Sequence, residues 1–199
     1  VLCRFPELLD YSSQWFRLHA GMPRFAYLHM DGTHGTCPEK LRRYDSKLAA
    51  WVRGFLSGPD GEQTAVVVMS DHGVQSGDGH LTAQPFLAAW LPRALLRSLG
   101  EEARSALRSN THRLMTAFDA HFTMTQLLQA SLDIAKGEAP VLQDSKEPTL
   151  PTYANDTDND YLKAPGHVIR SALSLIPEHR SCKDAGLPSA QCFCMGQDK

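Results

Sequence analysis

The sequence predicts an α/β protein with a mostly parallel sheet, and three observations carry that reading. The run Thr64-Ala65-Val66-Val67-Val68-Met69 is apolar and β-branched and stops at Ser70-Asp71-His72-Gly73. That is the pattern of a buried strand delivering a polar turn at its carboxyl end, where open α/β sheets keep their ligand sites. A second short strand pattern, residues 24–30, precedes a helical pattern over Pro38–Leu56. Strand, helix and strand thus follow within about forty residues, the order of a right-handed βαβ unit. Composition agrees, since 42% hydrophobic and 21% charged residues describe an ordinary globular protein.

In chain order, Phe5, Leu8, Leu9, Trp15, Phe16 and Leu18 give a first helix that Gly21-Met22-Pro23 stops. Residues 24–30 read as a strand ending in Asp31-Gly32-Thr33-His34-Gly35, a glycine-rich turn with its own Asp/His pair. Leu41, Tyr44, Leu48, Trp51, Val52 and Phe55 then recur at three- and four-residue spacing, one apolar helix face. The strand at Val66–Met69 follows, and both Asp/His turns are expected at carboxyl ends of parallel strands. Residues 74–84 form a polar, glycine-rich loop with His80, and residues 85–92 read as a further apolar strand punctuated by Pro85 and Pro92. Residues 93–109 predict a charge-laced helix and residues 116–128 another, packed on the sheet. A long polar loop fills residues 137–164, and residues 166–177 return as a short strand ahead of a cysteine-bearing tail.

Length and charge exclude several classes. A chain of 199 residues is long enough to bury a sizeable core as one domain. Twenty Lys+Arg against 22 Asp+Glu give a formal charge of −2, so no electrostatic footprint for nucleic acid or an anionic membrane surface is present. No apolar run approaches the ~20 residues of a membrane helix. The start, Val1-Leu2-Cys3-Arg4, carries no initiator Met and no signal pattern and reads like the middle of a longer protein. Cys182, Cys192 and Cys194 lie in a segment poor in core-forming residues, which predicts disulfides and an oxidising compartment. The sequon Asn155-Asp156-Thr157 agrees with secretion, and Cys3 and Cys37 complete an odd total of five cysteines.

Asp71 and His72 are the first candidates for chemistry. A carboxylate oxygen and an imidazole nitrogen side by side suit Zn²⁺, Mn²⁺ or a similar ion, and Gly73 lets the backbone turn sharply beside it. Asp-His-Gly alone also describes an ordinary strand-end turn; the strand before it and the histidines around it favour the metal. His34 is second, suited to ligating a metal or donating a hydrogen bond to an anionic ester. His80 is third, on the loop after the motif. His29 is expected in a packed environment and His19 near the end of the first helix, complementing its dipole. Cys37-Pro38-Glu39-Lys40-Leu41-Arg42 does not match the Cys-x-Pro-x-Arg element of sulfatases, because proline directly follows the cysteine.

Ser70-Asp71-His72-Gly73 after an apolar strand, followed by Gly77 and His80, resembles the alkaline phosphatase and sulfatase superfamily. Residues 28–35 look like its upstream Asp/His turn. Residues 118–128 are similar to the helix that follows its core, although the helix proline is absent. The tail from Ser174 to Gly186 with Cys192-x-Cys194 looks like the end of an uncharacterised, mainly animal sulfatase-like family of unknown function. The resemblance implies an alkaline-phosphatase-like three-layer sandwich, incomplete here. Residues 1–136 would be the C-terminal part of the α/β core and residues 137–199 a loop and cysteine-containing extension.

It further implies a hydrolase of phosphate or sulfate esters using a divalent ion (Zn, Ca, Mn or Mg). Asp71, His72 and Asp31 would bind the metal, and His34 and His80 would act on the ester. Asp31-x2-His34 departs from the Asp-x3-His spacing common in two-metal members. The nucleophile and further carboxylates lie in the N-terminal half of such proteins, and nothing in this sequence takes those roles. The chain alone is therefore expected to be inactive, either part of a longer enzyme or a secreted interaction protein that keeps the fold. An extracellular or secretory-pathway location follows, with any membrane tether upstream of Val1.

Overall fold

The computed structural model describes residues 5–30, 38–73, 84–142, 168–187 and 192. They fall into two compact units divided between Pro92 and Arg93. In the first, Leu9, Ser12 and Phe16 recur at three- and four-residue spacing along α1 (Phe5–Leu18) and form its buried stripe. That stripe meets Tyr44, Leu48, Trp51 and Phe55 of α2 (Pro38–Leu56). Trp51 makes the contact directional: its indole N–H reaches the Leu9 carbonyl at 3.0 Å and the Ser13 hydroxyl at 2.8 Å. Phe16 and Phe55 meet edge to face at 4.9 Å.

Two devices aim the chain out of this helix pair. Arg24 donates to the Phe16 carbonyl at 2.7 Å, pairs with Asp60 at 2.8 Å and lies over the Phe16 ring. It thereby ties the segment after α1 to the turn that leads into β1. Gly61 lies in that turn against the end of α2, where an added Cβ would meet the Leu56 carbonyl oxygen at 2.6 Å. β1 (Val66–Met69) then pairs antiparallel with β2 (Leu87–Trp90), Val66 opposite Trp90 and Met69 opposite Leu87. Opposed residues share a face, so one face carries Val66, Val68, Ala88 and Trp90 and the other Val67, Met69, Leu87 and Ala89. Both faces are apolar.

The second unit is built on α3 (Arg93–Asn110) and α4 (Ala117–Ala135). Leu95, Leu99, Ala103, Ala106 and Asn110 give α3 one continuous buried stripe, although Gly100 at φ 85°, ψ 172° breaks its helical backbone. α4 starts on a capping box: the Thr116 hydroxyl accepts from the Asp119 N–H, and the Asp119 carboxylate accepts from the Thr116 N–H. Against these helices lies a non-helical segment, residues 168–187, in which Ile169, Ser171, Ala172, Leu173, Ile176 and Arg180 are buried.

Non-regular backbone inside a core needs partners for its polar groups, and side chains supply them. The Asn110 amide donates to the carbonyls of Ala172 and Ser174 and accepts from the Ile176 N–H, at 2.8–3.0 Å. Thr123 accepts from the Ala172 N–H at 2.8 Å. The Asp119 carboxylate, fully buried, accepts from the Arg170 N–H at 2.6 Å and from both terminal nitrogens of Arg180, at 2.7 and 3.2 Å. Arg180 also donates to the carbonyls of Leu114 and Val168. A disulfide between Cys182 and Cys192 lies just past it, on a turn capped by Ser181 and Asp184.

The structure bears out the four helices and the strands at Val66–Met69 and within residues 85–92, giving a mixed α/β chain. Three expectations differ. Residues 24–30 form no ladder among the described residues, where the sheet consists of β1 and β2 alone. Residues 166–177 were expected to be a strand, but those described, 168–177, run as turns satisfied by Asn110, Thr123 and Asp119 instead of by strand neighbours. The sheet of described residues has two antiparallel strands, not a βαβ crossover.

Two stability consequences follow. Arg180→Met removes the partner of a fully buried carboxylate, so the urea midpoint of this unit should fall by the equivalent of about 3–5 kcal/mol. A change below about 1 kcal/mol would show that the pair is not a structural necessity. At the surface, the Arg113 guanidinium hydrogen-bonds Glu178 at 3.2 Å and holds its carboxyl below the ordinary range. A lowered carboxyl contributes stability above its unfolded-state titration and loses it as pH falls through the folded value. Glu178→Gln should therefore lower the thermal midpoint slightly at pH 7 and leave it unchanged near pH 2; an equal drop at both pH values contradicts the assignment.

Candidate functional site

β1 ends at Met69, and the ladder continues for one pair beyond it. The Ser70 N–H donates to the Phe86 carbonyl at 2.9 Å, and the Phe86 N–H donates to the Ser70 hydroxyl at 2.7 Å. Asp71, His72 and Gly73 follow immediately, so the strand delivers them at its carboxyl end. The Asp71 side chain is 81% exposed and that of His72 33%.

Within the pair, the Asp71 Oδ1 accepts from the His72 N–H at 3.0 Å, fixing the carboxylate over its own turn. His72 Nδ1 stands 2.7 Å from the Gly73 carbonyl. A carbonyl oxygen only accepts, so Nδ1 carries the proton and Nε2 is the lone-pair nitrogen of the neutral ring. That nitrogen lies 3.5 Å from Asp71 Oδ2. Two donors bound to one tetrahedral ion at ~2.1 Å stand ~3.4 Å apart, so the pair already has the bite of a chelate. Orienting a ligating imidazole through its other nitrogen is a common feature of metal sites. With the ring protonated, the same geometry is an exposed ion pair of small energetic consequence.

The other expected site residues, Asp31, His34 and His80, lie outside the described residues, as do Cys3, Cys37, Cys194 and Asn155. Among the described residues no three His, Cys, Asp or Glu side chains converge as a metal site. His29 is exposed, not packed, with its ring beside Tyr27 and 3.4 Å from that hydroxyl. His19 donates through Nδ1 to the Trp15 carbonyl at 2.8 Å and lies against the Trp15 ring, a structural role at the end of α1. A cleft of about 270 Å³ between α1 and α2 is lined by Phe16, Trp51 and Phe55. Its polar neighbours include Arg17, and Trp51 and Asp60 are engaged by Ser13 and Arg24.

The chain is thus a mixed α/β protein that presents an Asp-His pair at a strand end, the arrangement expected of a sulfatase-like protein. It belongs to the family described as Protein of unknown function (DUF229), a sulfatase-like family whose model matches residues 4–199. No curated protein and no solved structure matches it. Sequence reasoning missed the roles of Ser70, Asn110, Asp119 and Arg180. Of these only Asp119 carried a local signal, the Thr-x-x-Asp spacing of a capping box ahead of a helix.

The tautomer is directly measurable. Long-range proton–nitrogen NMR of the neutral His72 ring should show Nδ1 protonated and Nε2 as the acceptor nitrogen. The opposite tautomer would remove the oriented donor pair described above.

Proposed function

We propose that the protein is the metal-bearing portion of a hydrolase of phosphate or sulfate esters, with Asp71 and His72 as two of the ligands. The observation that supports this best is the 3.5 Å separation of His72 Nε2 and Asp71 Oδ2, with the imidazole already oriented by the Gly73 carbonyl. A carboxylate with an imidazole suits Zn or Mn; Ca or Mg would draw mainly on carboxylate oxygens such as Asp71 and Asp31. When bound, such an ion would polarise the ester and lower the pKa of a coordinated oxygen nucleophile. The chain's own contribution is to hold the two donors at a strand end in an open turn. Asp31 is proposed as a third ligand, and His34 and His80 as donors to the ester oxygen or leaving group.

Apolar residues on both faces of the β1–β2 ladder support the finer architecture, because strands covered on both sides by helices carry that pattern. On this pattern we propose a three-layer core with helices on both faces of a larger, mostly parallel sheet, of which β1 and β2 are an antiparallel pair. The Cys182–Cys192 disulfide favours an oxidising, extracellular or secretory-pathway setting. No helix among the described residues is long and apolar enough to cross a membrane. A rival reading, a secreted interaction protein without catalysis, draws on Phe25 and Tyr27, each 76% exposed.

Metal titration decides between them. Asp71→Ala and His72→Ala should each weaken Mn²⁺ or Zn²⁺ binding by about tenfold or more while leaving the thermal midpoint without metal unchanged. Unchanged affinity in both variants would refute the assignment and favour the interaction protein.

A further inference from the structure

In an antiparallel ladder, a hydrogen-bonded pair of residues exchanges two backbone bonds, each N–H to the other's carbonyl. Ser70 and Phe86 continue the register in which Met69 stands opposite Leu87. They make the first of these bonds, from Ser70 N–H to the Phe86 carbonyl at 2.9 Å. The second is altered: the Phe86 N–H goes to Ser70 Oγ, at 2.7 Å. The hydroxyl thus stands in for the residue's own carbonyl. A carbonyl released from the ladder no longer fixes ψ of Ser70, and Asp71 and His72 follow in a bend.

From this we infer that Ser70 is the positioning residue of the Asp71–His72 pair, because its hydroxyl ends the ladder one residue before Asp71. The inference rests on the metal reading proposed above. An alanine at this position cannot accept from Phe86. The Phe86 N–H then either loses its partner or captures the residue-70 carbonyl, which extends the ladder and draws Asp71 onto the strand path. Successive strand residues point to opposite faces, so an Asp71 and His72 drawn into the ladder would diverge. The present geometry instead holds Asp71 Oδ2 and His72 Nε2 3.5 Å apart. Threonine keeps the accepting hydroxyl, so Ser70→Thr should behave as the native protein does.

The test compares Ser70→Ala, Ser70→Thr and Asp71→Ala with the native chain, using Mn²⁺ alone as the probe and electron paramagnetic resonance for affinity. In parallel, NMR follows the exchange rate of the Phe86 amide and the His72 ring nitrogens without metal. Ser70→Ala is expected to bind Mn²⁺ about tenfold more weakly or worse, as for loss of an outer-shell orienting group, with Ser70→Thr restoring the affinity. In Ser70→Ala only, the His72 ring nitrogens should shift, and the Phe86 amide should exchange faster if it has lost its partner and stay protected if it has captured the residue-70 carbonyl. Native affinity in Ser70→Ala while Asp71→Ala loses the ion overturns the positioning role and leaves the metal reading standing. Native affinity in Asp71→Ala overturns the metal reading. The positioning role then stands or falls on the metal-free spectra, and unshifted His72 nitrogens in Ser70→Ala overturn it.

Discussion

The carboxylate of Asp119 is the constraint on which the second unit depends. Five donors converge on its two oxygens: the Thr116 N–H and hydroxyl, the Arg170 N–H and two nitrogens of Arg180. Water is excluded, with the side chain of Asp119 fully buried and that of Arg180 4% exposed. Removing two charges from water costs several kcal/mol each, so such a pair is tolerable only where its remaining valences are met. Here they are met by the start of α4 and by the carbonyls of Leu114 and Val168. The pair therefore specifies geometry more than it adds stability: it joins the N-terminus of α4 to both ends of a segment with no helix or strand of its own.

That arrangement explains why the regular parts of the chain were legible and residues 168–187 were not. Helix periodicity is a local signal, and Phe5–Leu18, Pro38–Leu56, Arg93–Asn110 and Ala117–Ala135 follow from the spacing of their apolar residues. Residues 166–177 read as a strand, yet the backbone of those described is satisfied by Asn110, Thr123 and Asp119, roughly fifty to seventy residues away in sequence. Nothing in a local window shows that a distant amide or carboxylate will replace a neighbouring strand. Residues 24–30 fail for the opposite reason. Their composition suits a strand, but a strand exists only with a partner; among the described residues none pairs with them, and Phe25 and Tyr27 are exposed.

The candidate site was legible to the extent that its chemistry is written in consecutive residues. Asp71 and His72 announce themselves because an apolar β-branched run precedes them. Their mutual geometry does not, since the tautomer of His72 is set by the Gly73 carbonyl and the departure of the chain from β1 by Ser70 and Phe86. A serine ahead of Asp-His reads in sequence as one more small polar turn residue. Only the register between β1 and β2 shows that its hydroxyl occupies the place of a ladder carbonyl.

The proposed metal site is a two-donor chelate at the end of β1. Crystals grown with Mn²⁺ and measured for anomalous scattering test it most directly. The expected result is a peak bonded by both Asp71 Oδ2 and His72 Nε2, with His72 Nδ1 still on the Gly73 carbonyl. An ion bound elsewhere, with Asp71 and His72 in their present geometry and making no contact to metal, would contradict it.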